Sequence, residues 1–497
     1  MAFLLGLDVG SSSVKAALVE AGTGRTVGHG QSPGGELEIA APQPGWAEQH
    51  PDTWWQHSAQ AIQSVLRGSG LSGYDVAAVG IAYQMHGLVV VDRQQRALRP
   101  AIIWCDSRAV GVGRQVLAKL GAGYCHERLL NLPGNFTAAK LGWLRQHEPA
   151  VYKQVHRAML PGDYIAMRLT GECATTASGL SEGIFWDFRH RTIAKPLLDA
   201  LAIDGELLPP AVPTFAPQGG LRADVAAELG LRPGIPVSYR AGDQPNNAFS
   251  LNVLQPGEVA ATAGTSGVVY AVTDQPACDP PSRVNTFLHV NDAPGRAHNG
   301  VLLCINGTGI LNSWTKRLTG ASGYEAMNRE AAAVPIGCDG LFLYPFGNGA
   351  ERILENRTLG AHFSHIDFNR HQPPFVMRAA QEGIVFALAY GFEVLQQMGI
   401  RPSVIRAGHA NMFLSPLFRS VFVNTLGVPL ERYNTDGASG AARGAGIGAG
   451  IFSFDDAFRG LEKVGGEHPD AAMQNRYQEV YRRWKAGLEQ LLAAAKN

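Results

Sequence analysis

Apolar residues crowd the start of the chain. Phe3 to Leu7 reads as a buried strand, the polar run Asp8 to Ser13 as a turn, and Val14 to Val19 as a second strand, which predicts a β-hairpin. The pattern then turns helical: between Pro51 and Gly68, Trp55, Ala59, Ile62 and Leu66 recur at i, i+4, i+7 and i+11, with proline at the first position and glycine as terminator. Val76 to Tyr83 is almost uniformly apolar and predicts a buried strand that ends at Gln84-Met85-His86-Gly87. Leu88 to Val91 and a stretch through Ile102 to Trp104 predict two more strands around a charged turn at Arg93 to Arg96.

From Pro209 to Gly234 the periodicity gives way to proline and glycine, which predicts the lead-in to a domain junction. Beyond it, GIPVSYRAGDQPNNA predicts a strand ending in a polar loop. PGEVAATAGTSGVVYAV then predicts strand, Gly-rich turn, strand. Two hairpins, one near residue 10 and one near residue 265, point to two related halves. No short fixed-period repeat is present, which excludes solenoids and propellers. A last apolar stripe of Tyr477, Val480, Trp484, Leu488 and Leu491 predicts a long C-terminal helix.

Composition narrows the class. Glycine supplies 59 of 497 residues, well above the usual ~7%, as expected of a mixed α/β protein built around tight turns. Lys and Arg (42) balance Asp and Glu (42), so bulk electrostatics offers no grip on nucleic acid or an anionic membrane. No apolar run approaches the length of a membrane span, and the N-terminus lacks a basic leader, so a soluble cytoplasmic protein is expected. The cysteines (Cys105, Cys125, Cys173, Cys278, Cys304, Cys338) form no CxxC pair and are expected to be buried free thiols.

Several short motifs mislead. There is no GK dipeptide, hence no Walker A loop, and no HExxH. Gly179 to Gly183 (GLSEG) spells a nucleophile elbow around Ser181, but its surroundings read as loop and extended chain, and a serine hydrolase ranks last among the readings. RGAGIGAG (Arg443 to Gly450) follows no apolar strand and reads as helix packing through small residues rather than a dinucleotide loop.

What remains is a pair of donor-rich turns. Asp8 ends a buried strand just before Gly10, Ser11, Ser12 and Ser13, whose N–H groups and hydroxyls make a nest for phosphate oxygens, with Lys15 as a nearby charge. Gly264, Thr265, Ser266 and Gly267 repeat the arrangement in the second half. Two such turns suggest a phosphate chain clamped between two domains. Asp243 stands at another strand end beside amide side chains. The two aspartates suit a metal anchor and a proton acceptor, while the plain alternative for Asp243 is an Asx turn.

With these residues in view the chain resembles the FGGY family of carbohydrate kinases over essentially its whole length. Asp8 to Lys15 and Gly264 to Gly267 resemble the family's two phosphate motifs. FTAAKLGWL (Phe136 to Leu144) is similar to its F-[TS]-x-x-K-x-x-W signature, and WCDSR (Trp104 to Arg108) to a stretch near the sugar. Gln84 to Gly87 resembles the ketose version of the sugar loop, and GVPLERYNTDGASGAARGAG a segment that closes the nucleotide domain. The resemblance implies an α/β, actin-like ATPase fold, with two ribonuclease-H-like domains flanking a cleft, divided at residues 1–247 and 248–497. It implies ATP and Mg²⁺, with Asp243 as the base on the sugar hydroxyl and Asp8, with Asp243, holding the metal, in part through water. Gln84, Met85, His86, Trp104, Arg108 and Gln244 would contact the sugar. Gly10, Ser11, Ser12, Ser13, Lys15, Gly264, Thr265, Ser266, Gly408, Ala410 and Asn411 would contact the nucleotide. The implied reaction is phosphorylation of the 5-hydroxyl of D-xylulose; the sequence is silent on oligomeric state, although a homodimer is common among the relatives it resembles. Alternatives are another ketose or polyol (L-xylulose, ribulose), or an actin-like ATP- or sugar-binding protein without turnover. Two departures stand out: Gln244 replaces the usual Asn, and AGHANMFLSPLF alters the adenine loop at His409 and Asn411, with Met412 to Leu414 as an apparent insertion.

Overall fold

The computed structural model describes residues 1–495 as two compact units. The first comprises Met1–Asn252, Phe287–Asn299 and Thr435–Leu461; the second comprises Val253–Thr286, Gly300–Asn434 and Glu462 onward. The chain thus leaves the first unit close to residue 248 but returns to it twice. Pro209 to Gly234 lies wholly inside the first unit, where it carries the helix Ala223–Leu229.

The first unit is built on a five-stranded sheet. Phe3–Val9 pairs antiparallel with Val14–Glu20, which pairs antiparallel with Thr26–Ser32. On its other side Phe3–Val9 runs parallel to Val76–Tyr83, which runs parallel to Val237–Gly242. The helix Pro51–Ser69 covers one face with Trp54, Ala61, Ile62 and Val65 and ends at Gly70 in the left-handed conformation (φ 68°). The second unit repeats this plan. Glu258–Ala263 pairs antiparallel with Gly267–Thr273 and parallel with Val404–Gly408, which runs parallel to Leu430–Tyr433. The two hairpins read from the sequence are therefore equivalent elements of two like sheets. The C-terminal helix Ala471–Ala494 buries Tyr477, Tyr481, Trp484, Leu488 and Leu492, the expected stripe widened by its neighbours.

Small residues decide what covers the other face of the first sheet. A Cβ on Gly6 would stand 1.9 Å from the Ala438 carbonyl oxygen, and one on Gly80 2.0 Å from that of Ala441. The helix Gly437–Gly448 therefore lies directly on the strands, as its own glycines permit: a Cβ on Gly448 would meet the Ser238 carbonyl at 1.8 Å. The small-residue reading of Arg443 to Gly450 holds. The segment GVPLERYNTDGASGAARGAG, expected to close the nucleotide domain, divides between the units: Gly427 to Asn434 lie in the second and Thr435 to Gly446 in the first.

Other expectations are corrected. Gly179 to Gly183 is not loop: Thr176 caps a short helix, Ala177–Glu182, by accepting the Gly179 N–H. The strand read through Trp104 stops at Ile102. Of the cysteines only Cys125 and Cys338 are buried, and Cys105 is exposed. Among the described residues no helix is long and apolar enough to cross a membrane.

Candidate functional site

Sheet register brings the first group of candidates together. Val9 pairs with Tyr83, and Tyr83 with Gly242, so three parallel strands end side by side. Asp8, Gln84–His86 and Asp243 emerge along that edge. Asp243 is not in a loop as its Gly-Asp-Gln-Pro-Asn-Asn setting suggested; it opens the helix Asp243–Ser250. Pro245 in the first turn gives up only an N–H that has no helical partner there. Asn246 Nδ2 donates to Gly437 O (2.8 Å) and Ser250 Oγ to Asp436 O (2.7 Å), which fixes the helix to the segment Thr435–Gly437.

Burial dominates the electrostatics. It raises Asp243 to about 7, with the Asp8 charge adding to the effect and the main chain and side chain of Gln244 opposing it. Gln244 thus leans on the carboxylate of Asp243. Burial raises Asp8 to about 6, against Lys15. Two neighbouring carboxylates that resist ionisation in the free protein fit a divalent cation, whose charge would offset both. Among the described residues no three His, Cys, Asp or Glu side chains form a metal cage. That donor set suits a hydrated hard cation such as Mg²⁺ better than one enclosed by protein.

The first phosphate turn is well braced. Ser11 O accepts from Gln49 Nε2 (2.7 Å), Ser12 O from Leu37 N (2.7 Å) and Ser13 O from Gly10 N (3.1 Å). With its carbonyls engaged, the turn has N–H groups and serine hydroxyls to offer an anion, and exposed Lys15 flanks it.

The predicted sugar residues separate into two sets. His86 is half-buried and Trp104 is 47% exposed, with its Nε1 donating to Ser11 Oγ (3.2 Å), so both border open surface. Gln84 and Met85 are buried (3% and 4% exposed), and the Gln84 amide has no hydrogen-bond partner among the described residues. Arg108 is spent internally. Its guanidinium forks onto Asp106, donates to Glu48 Oε1 (2.7 Å) and stacks on Trp46 at 3.6 Å. It braces the stretch Trp104 to Arg108 and presents no face to solvent. The signature residues cluster around these groups: the Phe136 ring meets His86 edge-on at 5.1 Å, and Trp143 lies 5.0 Å from the Arg108 guanidinium.

Sequence reading missed Glu182. It ends the helix Ala177–Glu182, is 1% exposed, and neither carboxylate oxygen has a hydrogen-bond partner among the described residues, although Tyr83 and the His86 main chain are close electrostatic neighbours. Burial first, then the charges of Asp243 and Asp163, raise it far above the usual carboxylate range. Its carbonyl meets His86 Nδ1 at 2.9 Å. Ser181, next to it, donates to Ser178 O and accepts the Leu288 N–H, so it is a buried structural hydroxyl. Asp436 was missed as well: burial works against its charge, but hydrogen bonds with His29 and Ser439 hold it at about 2. Asp and Glu one residue from a glycine carry no signal that separates them from ordinary turn residues.

The second unit assembles the remaining candidates by itself. Gly264 O accepts from Gly309 N (2.9 Å) and Thr265 O from Ile310 N (3.1 Å), so the start of the helix Gly309–Thr319 holds the second turn. Val404–Gly408 ends beside it, and a Cβ on Gly264 would lie 3.6 Å from Asn411 Nδ2. Asn411 takes a left-handed conformation (φ 53°), and half-buried Gly408 leads to exposed Ala410 and Asn411 on the approach to this turn. Met412 and Phe413 sit in a short 3-10 turn that buries both side chains, which accounts for the apparent insertion. His409 pairs with Arg432 NH1 at 2.8 Å.

Comparison with known proteins shows the family of the chain. Residues 3–250 match the N-terminal domain, and residues 259–451 the C-terminal domain, of the FGGY family of carbohydrate kinases. The chain is 31% identical to the xylulose kinase of Escherichia coli over 89% of its length and 88% of that protein. It is 30% identical to the xylulose kinase of Klebsiella pneumoniae over 92% and 91%. The crystal structure of xylulose kinase from Rhodospirillum rubrum superposes with a TM-score of 0.88 at 26% identity, covering 100% of both chains.

Proposed function

The chain belongs to the FGGY family of carbohydrate kinases, with the actin-like ATPase fold, and we propose from this premise that it transfers the γ-phosphoryl group of ATP to the 5-hydroxyl of D-xylulose, giving D-xylulose 5-phosphate and ADP. One observation carries the reading: Asp8, Gln84–His86 and Asp243 meet at the aligned ends of three parallel strands, in a chain whose relatives along most of its length are xylulose kinases.

Phosphoryl transfer needs positioning and charge stabilisation more than covalent chemistry from the protein. Asp243 is the base: its carboxylate accepts the proton of the attacking hydroxyl, and a proton affinity near neutrality suits that task. The Gly10–Ser13 turn and Lys15 take phosphate oxygens. Gly264, Thr265 and Ser266 take phosphate oxygens on the nucleotide side, with Gly408, Ala410 and Asn411 beside them. Asp8 and Asp243 would hold Mg²⁺, which neutralises phosphate charge. His86 and Trp104 contact the ketose through side chains, and buried Gln84 and Met85 shape its site from beneath. Gln244 orients Asp243. These roles are supported by burial, register and hydrogen bonding within each unit.

The test is ADP release with Mg·ATP against D-xylulose, D-ribulose, L-ribulose, L-xylulose and glycerol. Turnover greatest on D-xylulose is the expected result. A different preferred ketose keeps the mechanism and changes the substrate, and nucleotide binding without turnover on any sugar overturns the kinase reading.

A further inference from the structure

Lys140 is the least expected residue of the first unit. It sits on the helix Thr137–His147, is wholly buried (0% exposed) and belongs to none of the groups assigned to the reaction. Its Nζ donates to two main-chain carbonyls, His86 O at 2.8 Å and Ile103 O at 2.9 Å. Those carbonyls belong to the two stretches that carry the ketose contacts, Gln84–Gly87 and Trp104–Arg108. His86 itself is held with φ 61°, a conformation that costs a non-glycine residue energy and persists only where its surroundings impose it. Neighbours on the same helix act on the same loops: Phe136 packs on the His86 ring, Thr137 Oγ1 reaches Gly87 O (3.4 Å), and Trp143 backs Arg108.

Resting on the kinase reading above, we propose that Lys140 is a positioning residue for the ketose. By tying the carbonyls of His86 and Ile103 to one Nζ, it sets the distance between the His86 and Trp104 side chains and holds His86 in its left-handed conformation. A buried lysine serves simple stability poorly, because an apolar residue of similar length would avoid its desolvation. Its two acceptors give it a geometric task. Both acceptors lie in the first unit, on the stretches that carry the proposed ketose contacts, so its effect falls on the sugar.

The test uses the full chain and compares Lys140→Met, close in length but without donors, with wild type. Steady-state kinetics vary D-xylulose and Mg·ATP separately, and circular dichroism and thermal melting report the fold. The expected result is a folded variant whose KM for the ketose rises at least tenfold while KM for ATP stays within twofold. Lys140→Gln, which keeps two N–H donors on a shorter stem, is expected to recover part of the loss. A folded Met variant with a ketose KM within twofold of wild type overturns the proposal, as does an equal rise in both KM values. If only the Gln variant folds, its ketose KM is expected to rise while its KM for ATP stays within twofold, and an equal rise in both overturns the proposal. If neither folds, Lys140 is a core residue and the proposal fails. Wild type inactive on every ketose would instead overturn the kinase reading, and this inference with it.

Discussion

The Glu182 carboxylate occupies the space that a side chain on Gly242 would need: a Cβ there would lie 2.3 Å from Oε2 and 2.6 Å from Met85 Cγ. The residue before the base thus has to be glycine for Glu182 and Met85 to keep their places. Gly242→Ala is expected to cost about 1–3 kcal/mol by overpacking and to lower kcat/KM at least tenfold. Combining it with Glu182→Ala, which clears the collision, should restore part of the lost melting temperature. If the two changes are simply additive in thermal melts, the contact does not constrain the site.

Asp243→Asn removes the proposed proton acceptor and leaves the helix Asp243–Ser250 with its anchors on Gly437 and Asp436. The kcat should fall by roughly 10²–10⁴-fold. Because burial and the Asp8 charge both oppose ionisation of Asp243, loss of its charge should leave the melting temperature unchanged or higher at pH 8. Most of kcat surviving in this variant would reassign the base.

The same burial makes the metal-free protein sensitive to pH in an unusual direction. Asp8 is raised to about 6 and Asp243 to about 7 in the folded state, and burial raises Glu182 as well. Groups raised on folding favour the folded state fully below their unfolded values near 4, and that contribution fades as pH climbs through the folded ones. Thermal melts in EDTA should therefore show a melting temperature that declines from pH 5 to pH 8. Mg²⁺ should reduce the decline. Asp436, held at about 2, acts in the opposite sense, but its window lies below about pH 4, and Lys140, lowered by burial to about 7, opposes the decline only at the top of the range. A melting temperature that rises across this range would contradict the burial of these carboxylates as charged groups.

Gly80→Ala places a methyl group 2.0 Å from the Ala441 carbonyl oxygen, a backbone atom that side-chain rotation cannot move. It should cost more than about 3 kcal/mol, beyond the usual overpacking range, and be visible as loss of soluble protein or a large fall in melting temperature. Gly22→Ala, with nothing within 4 Å of its Cβ, is the control and should be neutral.

Elements whose periodicity reflects one-sided burial were readable from the chain: Pro51–Ser69, Val76–Tyr83 and both hairpins. So were the residues at the strand ends, because Asp8, Gln84–His86 and Asp243 stand where apolar runs stop. Asp243 looked like loop because its neighbours are turn formers, and only tertiary anchors on Thr435–Gly437 make them a helix. Arg108 matched a sugar-site motif, yet its place was decided by Asp106, Glu48 and Trp46, two of them distant in sequence. Glu182 was invisible for a related reason: a carboxylate declares itself by burial next to another carboxylate, and burial of a loop-like segment is a property of the whole fold.

The order in which the chain is made and the order in which the first unit is completed are at odds. The helix Gly437–Gly448 is the surface on which Gly6 and Gly80 close, but it is among the last parts of the unit to be synthesised. At about 5–20 residues per second, a ribosome needs about 10–40 s to go from Asn252 to Gly448. Throughout that interval one face of the nascent sheet has no permanent cover, and the helix that Asp243 opens lacks the Asp436 and Gly437 carbonyls that anchor it. The proposed phosphate turn and base thus have no finished site until Gly437–Gly448 has been made, and a chain that stops short of that helix leaves this face open.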